Sequence, residues 1–328
     1  MPKISVVMPV YNGEKFLREA IDSILNQTFS DFEFIIINDC STDETEQIIK
    51  SYDDKRIVYI KNDNNMGVAA SLNRGFDLAK GEYIARMDAD DISLPQRFKA
   101  QAEFMDNNPD IAVCGCETEL FGDTDKKDTY TVFGRENMKI NLLFSSCLCH
   151  PAVMLRRSVI EKEHYRYDNY FDKLEDYELW TRIILKYDFD NIHGVYFRYR
   201  IHGKQVTQNY SEEHRIKSKE IRKRLLDSIG VECTDCELEA YSDYCLGKEY
   251  YDILSLAAVF EKIVKTNKNT GFFDDKLLTA YLRGILLNAV SKDSGTSVSQ
   301  IINACGFISH KDAALSNIKH IVKKIIRR

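Results

Sequence analysis

Between residues 4 and 120 short apolar runs alternate with amphipathic segments, and this alternation restricts the fold more than any other feature. Ile4–Val10 reads as a buried strand, and Glu14–Gln27 carries Phe16, Ala20, Ile21, Ile24 and Leu25 at helical spacing. Glu33–Ile37, Arg56–Ile60, Glu82–Met87 and Ile111–Leu120 are further strand-like runs. Between them the sequence predicts a helix opened by Asp43, a helix over Val68–Ala79, and one starting at Pro95 and ending near Asn107. Repeated strand–helix units predict an α/β fold with a mixed, mainly parallel sheet flanked by helices. Right-handed crossovers gather the strand C-termini on one edge, where such sheets bind ligands.

From 136 to 202 the pattern loosens into mixed α and β, with a helix-like Leu174–Lys186 and a strand-like Val195–Ile201. Beyond about 210 there is no proline and helical periods dominate, with candidates at Ser211–Ile229, Leu238–Lys265, Asp274–Val290 and Ser316–Ile326. Charge divides at the same place. Residues 1–208 hold 26 basic and 35 acidic residues, and residues 209–328 hold 19 and 16, so the net −6 separates into −9 and +3. We therefore expect a catalytic domain over 1–208 and a helical C-terminal region over 209–328. An acidic body argues against a nucleic-acid partner.

Nine scattered cysteines, with Cys233-x-x-Cys236 the one pair at metal-ligand spacing and no second pair at zinc-ribbon distance, read as reduced thiols. Met1–Ser5 runs directly into strand rather than into a cleavage site, and no apolar run approaches the roughly 18–20 residues that span a bilayer. These features lead us to expect a cytoplasmic location.

The chemistry concentrates at strand ends. Arg86-Met87-Asp88-Ala89-Asp90-Asp91 puts paired carboxylates at the exit of a buried strand, either as hard oxygen ligands for Mn²⁺ or Mg²⁺ or as an acidic turn before the Pro95 helix. Pro9 and Tyr11 follow the first strand, where Tyr11 is either a stacking platform or a packed aromatic. After the second strand, Asp39 is placed to accept from a base N–H, and Ser41 or Asp43 to cap the next helix. Asn65 and Gly67 open the third helix, and Gly67 permits close backbone approach.

Taken in order, the segments SVVMPVYNGE, IINDCSTDET, NNMGVAASLNRG, GEYIARMDADD, HPAVMLR, LEDYELWTR and YRIHGKQVT resemble the family 2 glycosyltransferases, inverting enzymes of the GT-A fold, from Ile4 to about Gln208. The resemblance implies that Pro9, Tyr11 and Asp39 line a nucleoside pocket and that Asn65 and Gly67 approach the nucleotide. It implies that Asp88 touches the ribose or metal, and that Asp90 binds the metal carrying a donor diphosphate. Glu14 is expected to steady the first loop. Many members carry Arg where this chain has Leu72, and Arg86 or Arg74 is the expected substitute. Inversion needs one base opposite the leaving group, and the resemblance assigns Asp176 to it, with Glu175 as orienter. The alternative is that both acids favour the N-terminal dipole of the following helix. Trp180 is expected to bury against the sheet or to flank an acceptor sugar. His202 is a further candidate ligand for the metal or diphosphate, and His150 either contacts the acceptor or satisfies a buried loop.

Leu315, Ile318, Ile321, Val322, Ile325 and Ile326 form one apolar face beside Lys311, Lys319, Lys323, Lys324, Arg327 and Arg328. Such a basic amphipathic end either lies on anionic lipid at the inner face of the membrane or packs as a terminal helix. The expected reaction moves one sugar from a nucleotide-sugar donor, with a UDP-sugar favoured, to a glycan or lipid-linked acceptor. Two rivals are a nucleotidyltransferase, which would begin with a Gly-rich phosphate loop absent here, and a non-catalytic nucleotide-sugar-binding protein. The sequence does not set the oligomeric state.

Overall fold

The apolar runs become strands of one sheet in the computed structural model, which describes residues 1–126, 131–203, 211–290, 300 and 305–307. The chain separates into a unit of residues 1–142 and 146–210 and a helical unit of 143–145 and 211–328. In chain order the first unit comprises β1 (Ile4–Val10), α1 (Leu17–Leu25), β2 (Phe32–Asn38), α2 (Thr45–Lys50), β3 (Ile57–Lys61), α3 (Val68–Leu78), β4 (Tyr83–Arg86) and β5 (Ile92–Ser93). There follow α4 (Arg97–Asn107), β6 (Ile111–Gly122), α5 (Arg135–Leu142), β7 (Met154–Arg156), α6 (Arg157–Lys162), α7 (Glu175–Ile183) and β8 (Asp188–Ile201).

The sheet order is β3-β2-β1-β4-β7-β6-β8-β5. β3, β2, β1 and β4 are parallel neighbours, β7 runs antiparallel to both β4 and β6, β8 is parallel to β6, and β5 is antiparallel to β8. This is a mixed α/β sheet with helices packed on it, as expected. All seven residues of β1 are buried, as a central strand covered on both faces requires. Pro9 is tolerated there because the β1–β4 ladder ends at Val7↔Arg86. α3 lies close on β1, and a Cβ on Gly75 would stand 2.2 Å from Val7 Cγ1.

β4 is where strand direction changes, and its exit is held from below. The fully buried Arg97 donates from Nη2 to the carbonyls of Arg86 at 2.8 Å and Val153 at 3.1 Å. Its Nε reaches Gln101, which in turn donates to the carbonyls of Cys114 and Ala152. Two side chains of α4 thus tie together β4, β6 and the approach to β7.

Several boundaries differ from the sequence reading. The first helix starts at Leu17, because Asn12, Gly13 and Glu14 are engaged with the loop after β2. α4 starts at Arg97 rather than at Pro95. β8 begins at Asp188, seven residues earlier than expected. β7 has three residues and no readable period, yet it bridges the two halves of the sheet.

The helical unit contains α8 (Glu212–Ser228), α9 (Asp235–Cys245), α10 (Ile253–Thr270) and α11 (Asp275–Val290). The single helix expected over Leu238–Lys265 is two, because Gly247 takes φ +69° and ends the first. Asp252 caps the second through Leu254 N. Phe144 packs its ring against Tyr241, Tyr244, Phe260 and Tyr281. Among the described residues no helix is long and apolar enough to cross a membrane. The basic amphipathic segment expected over 311–328 and the motif residues 204–208 lie outside the described residues.

Candidate active site

The loops after β1, β2 and β3 are stitched to one another. Asn12, at φ +49°, donates its backbone N–H to Ser41 Oγ at 2.9 Å and accepts from Thr42 N at 2.9 Å. Gly13 N donates to Thr45 Oγ1 at 2.9 Å, and Glu14 Oε2 accepts from Glu44 N at 3.0 Å. Glu14 therefore joins the first loop to the second. Asp43 accepts from Thr45 N and Glu14 N, forming a turn rather than a helix cap. Tyr11 stands clear of this network, 51% exposed.

Asp39 is buried and organises the third loop. Its Oδ1 accepts from Asn62 Nδ2 at 2.6 Å and Met66 N at 2.9 Å, and its Oδ2 accepts from Gly67 N at 2.9 Å. Gly67 has φ +86°, which permits its N–H to turn towards the carboxylate. Asn62 also donates to Ser71 Oγ and accepts from Arg74 Nη1. Asn65 lies in the same loop. Asn62 is absent from the sequence reading; its place directly after a parallel strand is the one signal that could have found it.

The acids follow β4. Asp88, Asp90 and Asp91 each bring a carboxylate oxygen within 4.8 Å of the others. Asp91 is 1% exposed; its Oδ1 accepts from Arg200 N at 2.8 Å, and its Oδ2 is buried without a partner. Arg200 Nε donates to the Asp90 carbonyl at 2.6 Å. His202 Nε2 lies 2.9 Å from Asp90 Oδ2, which brings the last motif onto the cluster. Burial, then the charges of Asp88 and Asp90, pushes Asp91 well above the usual carboxylate range, and burial raises Asp88 as well. A buried carboxylate oxygen lacking any donor, beside two further carboxylates, fits a divalent cation better than it fits a helix cap.

Arg86 is 4% exposed; its Nη1 pairs with Asp88 Oδ2 at 2.5 Å, and its Nε is buried without a hydrogen-bond partner. Arg74 is held by Lys61 and Asn62, and Leu72 is wholly in the core. Arg86 acts on acids from both motifs: its charge favours the ionised forms of Asp88, Asp91, Glu175 and Asp176. Glu175 and Asp176 open α7 within the field of that same guanidinium. Burial, then Asp176, pushes Glu175 up to about 7, and burial raises Asp176. Glu175 Oε2 is buried without a partner.

Trp180 departs from one of its readings. It has no exposed surface and is wedged edge-on against His150 and Phe189, so it is core and not a sugar platform. His150 Nε2 lies 2.9 Å from the Tyr167 hydroxyl, and burial, then Arg86, keeps the imidazole neutral. Asn73 clamps the Tyr167 backbone through both N–H and C=O at 2.8 Å. Tyr167 belongs to no motif and gives no signal in the sequence. Its hydroxyl feels the charges of Asp176, Glu175 and Asp88, so the expected base, its neighbour and an acid after β4 lie within electrostatic reach of one group.

A parallel half-sheet with its loops gathered at the C-terminal edge, and an acid cluster at the change of strand direction of which Asp91 is buried, is the arrangement of a ligand-binding α/β fold. Residues 5–163 match the family model described as glycosyl transferase family 2. The uncharacterized glycosyltransferase MJ1057 of Methanocaldococcus jannaschii is 38% identical over 61% of this chain and 71% of its own length. The O-antigen biosynthesis glycosyltransferase WbnJ of Escherichia coli is 36% identical over 63% of this chain and 82% of its own. In fold, the chain is similar to residues 1–349 of S. aureus TarS in complex with UDP-GlcNAc, at TM-score 0.59, 20% identity, and coverage of 89% and 88%. The chain belongs to glycosyl transferase family 2 and is a glycosyltransferase with a GT-A-like fold.

Proposed function

We propose that this chain transfers one sugar, with inversion, from a UDP-sugar to a hydroxyl of a glycan acceptor. The observation that carries this reading is that the Asp88–Asp91 cluster, paired to Arg86 through Asp88, and the Glu175–Asp176 pair both lie within the electrostatic reach of Arg86. Tyr11, Pro9, Asp39, Asn65 and Gly67 hold the nucleoside end of the donor. Asp88, Asp90 and Asp91 would hold Mn²⁺ or Mg²⁺, with His202 supporting Asp90. A divalent cation there neutralises the diphosphate and stabilises the departing nucleoside diphosphate.

Asp176 takes the proton of the acceptor hydroxyl as its oxygen attacks the anomeric carbon and the bond to the diphosphate breaks. Glu175 orients the acceptor or the loop before α7. Residues 1–208 carry this chemistry, and the helical remainder faces the acceptor or a membrane surface. The likeness to an O-antigen enzyme supports a lipid-linked surface-polysaccharide precursor as acceptor, met peripherally at the cytoplasmic face of the membrane.

The test is nucleoside diphosphate release from a panel of nucleotide sugars with Mn²⁺, in the parent and in Asp176→Asn. The expected loss in the variant is about 10²–10⁴-fold, with donor binding kept. Transfer at the parent's rate would overturn the assignment of the base.

A further inference from the structure

Arg200 stands near the end of β8, 110 residues beyond Asp90, yet two of its groups meet the acid loop that follows β4. Its Nε donates to the Asp90 carbonyl at 2.6 Å, and its backbone N–H donates to Asp91 Oδ1 at 2.8 Å. Its Nη2 pairs with Glu19 on α1. The guanidinium carbon lies 4.2 Å from the ring centre of Phe16, just before α1, and 4.4 Å from that of Phe121, near the end of β6. Phe16 also packs against His202, at 5.2 Å between ring centres, and His202 Nε2 meets Asp90 Oδ2. Ile92, the residue after Asp91, pairs with Arg198 across β5 and β8, which extends the hold on the loop. The side chain of Arg200 is 11% exposed.

These contacts solve a problem that the cluster creates. Three carboxylates on one short loop repel one another and favour a loop that spreads them apart. A hydrogen bond to the Asp90 carbonyl fixes the backbone there without occupying a carboxylate oxygen. On Asp91 the bond takes Oδ1 and leaves Oδ2, which is buried without a partner, to a cation. The guanidinium charge is met by Glu19, on a different element. A planar guanidinium lies flat against aromatic rings while it directs Nε and Nη2 along fixed lines. A lysine ammonium has no plane to stack and no such fork, so this position demands the geometry of arginine and not its charge alone.

We infer that Arg200 is a positioning residue for the acid cluster. It fixes the Asp90 backbone and the Asp91 carboxylate in the arrangement that accepts a divalent cation, and so sets metal affinity rather than the chemical step. The inference rests on the metal reading above.

The experiment measures Mn²⁺ binding to the full chain from the loss of the free-ion electron paramagnetic resonance signal, beside turnover as a function of Mn²⁺ concentration. Arg200→Gln and Arg200→Lys are each expected to bind Mn²⁺ about tenfold or more weakly, because groups that orient metal ligands typically carry that much of the affinity. Saturating Mn²⁺ is expected to restore kcat to within about threefold of the parent. Arg198→Gln is the control: Arg198 lies on the same strand, against Phe121 and paired with Glu119, and its loss should leave Mn²⁺ binding within about twofold. Thermal unfolding without metal, followed by circular dichroism, reports that each variant is folded. Should neither Arg200 variant fold, Phe121→Leu removes one of the two rings and is expected to weaken Mn²⁺ about two- to fivefold. Parent-like Mn²⁺ binding in folded Arg200 variants, or in Phe121→Leu where those do not fold, overturns the inference. So does equal weakening in Arg198→Gln, or a loss of kcat that saturating Mn²⁺ does not restore. A parent that binds no Mn²⁺ overturns the metal reading itself.

Discussion

In the loops after β1, β2 and β3 the polar groups find partners within the protein, whereas around β4 and α7 several buried ones do not. Asn12, Ser41, Asp43, Thr45, Asp39 and Asn62 bond to one another or to nearby backbone. By contrast Arg86 Nε, Asp91 Oδ2 and Glu175 Oε2 are buried without hydrogen-bond partners. An unsatisfied buried polar group costs about 1–3 kcal/mol. The first region is thus a scaffold already at rest, with Tyr11 exposed beside it. The second stores unfavourable electrostatics that a cation and substrate would relieve.

The most severe test of this contrast is Asp91→Asn. The amide keeps an oxygen for Arg200 N and removes the buried charge. Transfer is expected to fall about 100-fold or more, while metal-free stability rises by about 1–3 kcal/mol, read by denaturant titration. EDTA should likewise abolish parent turnover, and Mn²⁺ should restore it. A variant that loses both activity and metal-free stability would show Asp91 to be an ordinary structural acid.

Asp39→Ala probes the other region and should behave oppositely. Three donors, from Asn62, Met66 and Gly67, lose their acceptor. We expect a stability loss of about 1–3 kcal/mol and a donor KM raised about tenfold, with kcat less affected. A change in kcat alone would place Asp39 with the chemistry rather than with the scaffold.

The Glu175–Asp176 pair gives a pH signature. Glu175 titrates at about 7, against an ordinary carboxylate value of 4.5, because burial and Asp176 oppose its charge. The folded state therefore holds a proton that the unfolded state has released between those values, and stability falls as pH rises through that window. Activity runs the other way, since the base must be ionised. Glu175→Gln removes one negative charge beside Asp176, so the acid limb of kcat/KM should move down by about one pH unit. Relative to the parent, stability should rise above the window and stay unchanged below it. An acid limb that stays in place would separate Asp176 from the rate.

How much of this is readable in the sequence follows from how local each cause is. The strands of the parallel half announce themselves because β1 and β2 are buried on both faces and so read as unbroken apolar runs. Asp39, Asp88, Asp90 and Asp176 are legible because they stand just after strands or at the start of a helix, within motifs. β7 is illegible because three residues have no period, and its place is set by pairing to β4 and β6. Tyr167 depends on Asn73, 94 residues away, and Asp91 on Arg200, 109 residues away. Trp180 reads in the sequence first as core and second as a sugar contact, and its burial against Phe189 agrees with the first. The break at Gly247 is hidden because apolar periodicity resumes on its far side.

The smallest effect is expected at Gly67, and it tests whether the scaffold's backbone geometry matters by itself. Its φ of +86° and ψ of 169° lie where L side chains are strained, yet an added Cβ would meet nothing within 4 Å. Gly67→Ala therefore introduces strain without a clash, and should cost about 1 kcal/mol. That strain is borne at the N–H that donates to Asp39 and at the carbonyl that accepts from Ser71. If the backbone yields, the hydrogen bond to Asp39 is lost and the loop turns away from the nucleoside. Donor KM should then rise two- to fivefold with kcat unchanged, since Gly67 touches neither the acids of β4 nor α7. Equal donor KM in both proteins would mean that the loop absorbs the strain without moving, and that Tyr11 and Asp39 hold the nucleoside without help from the start of α3.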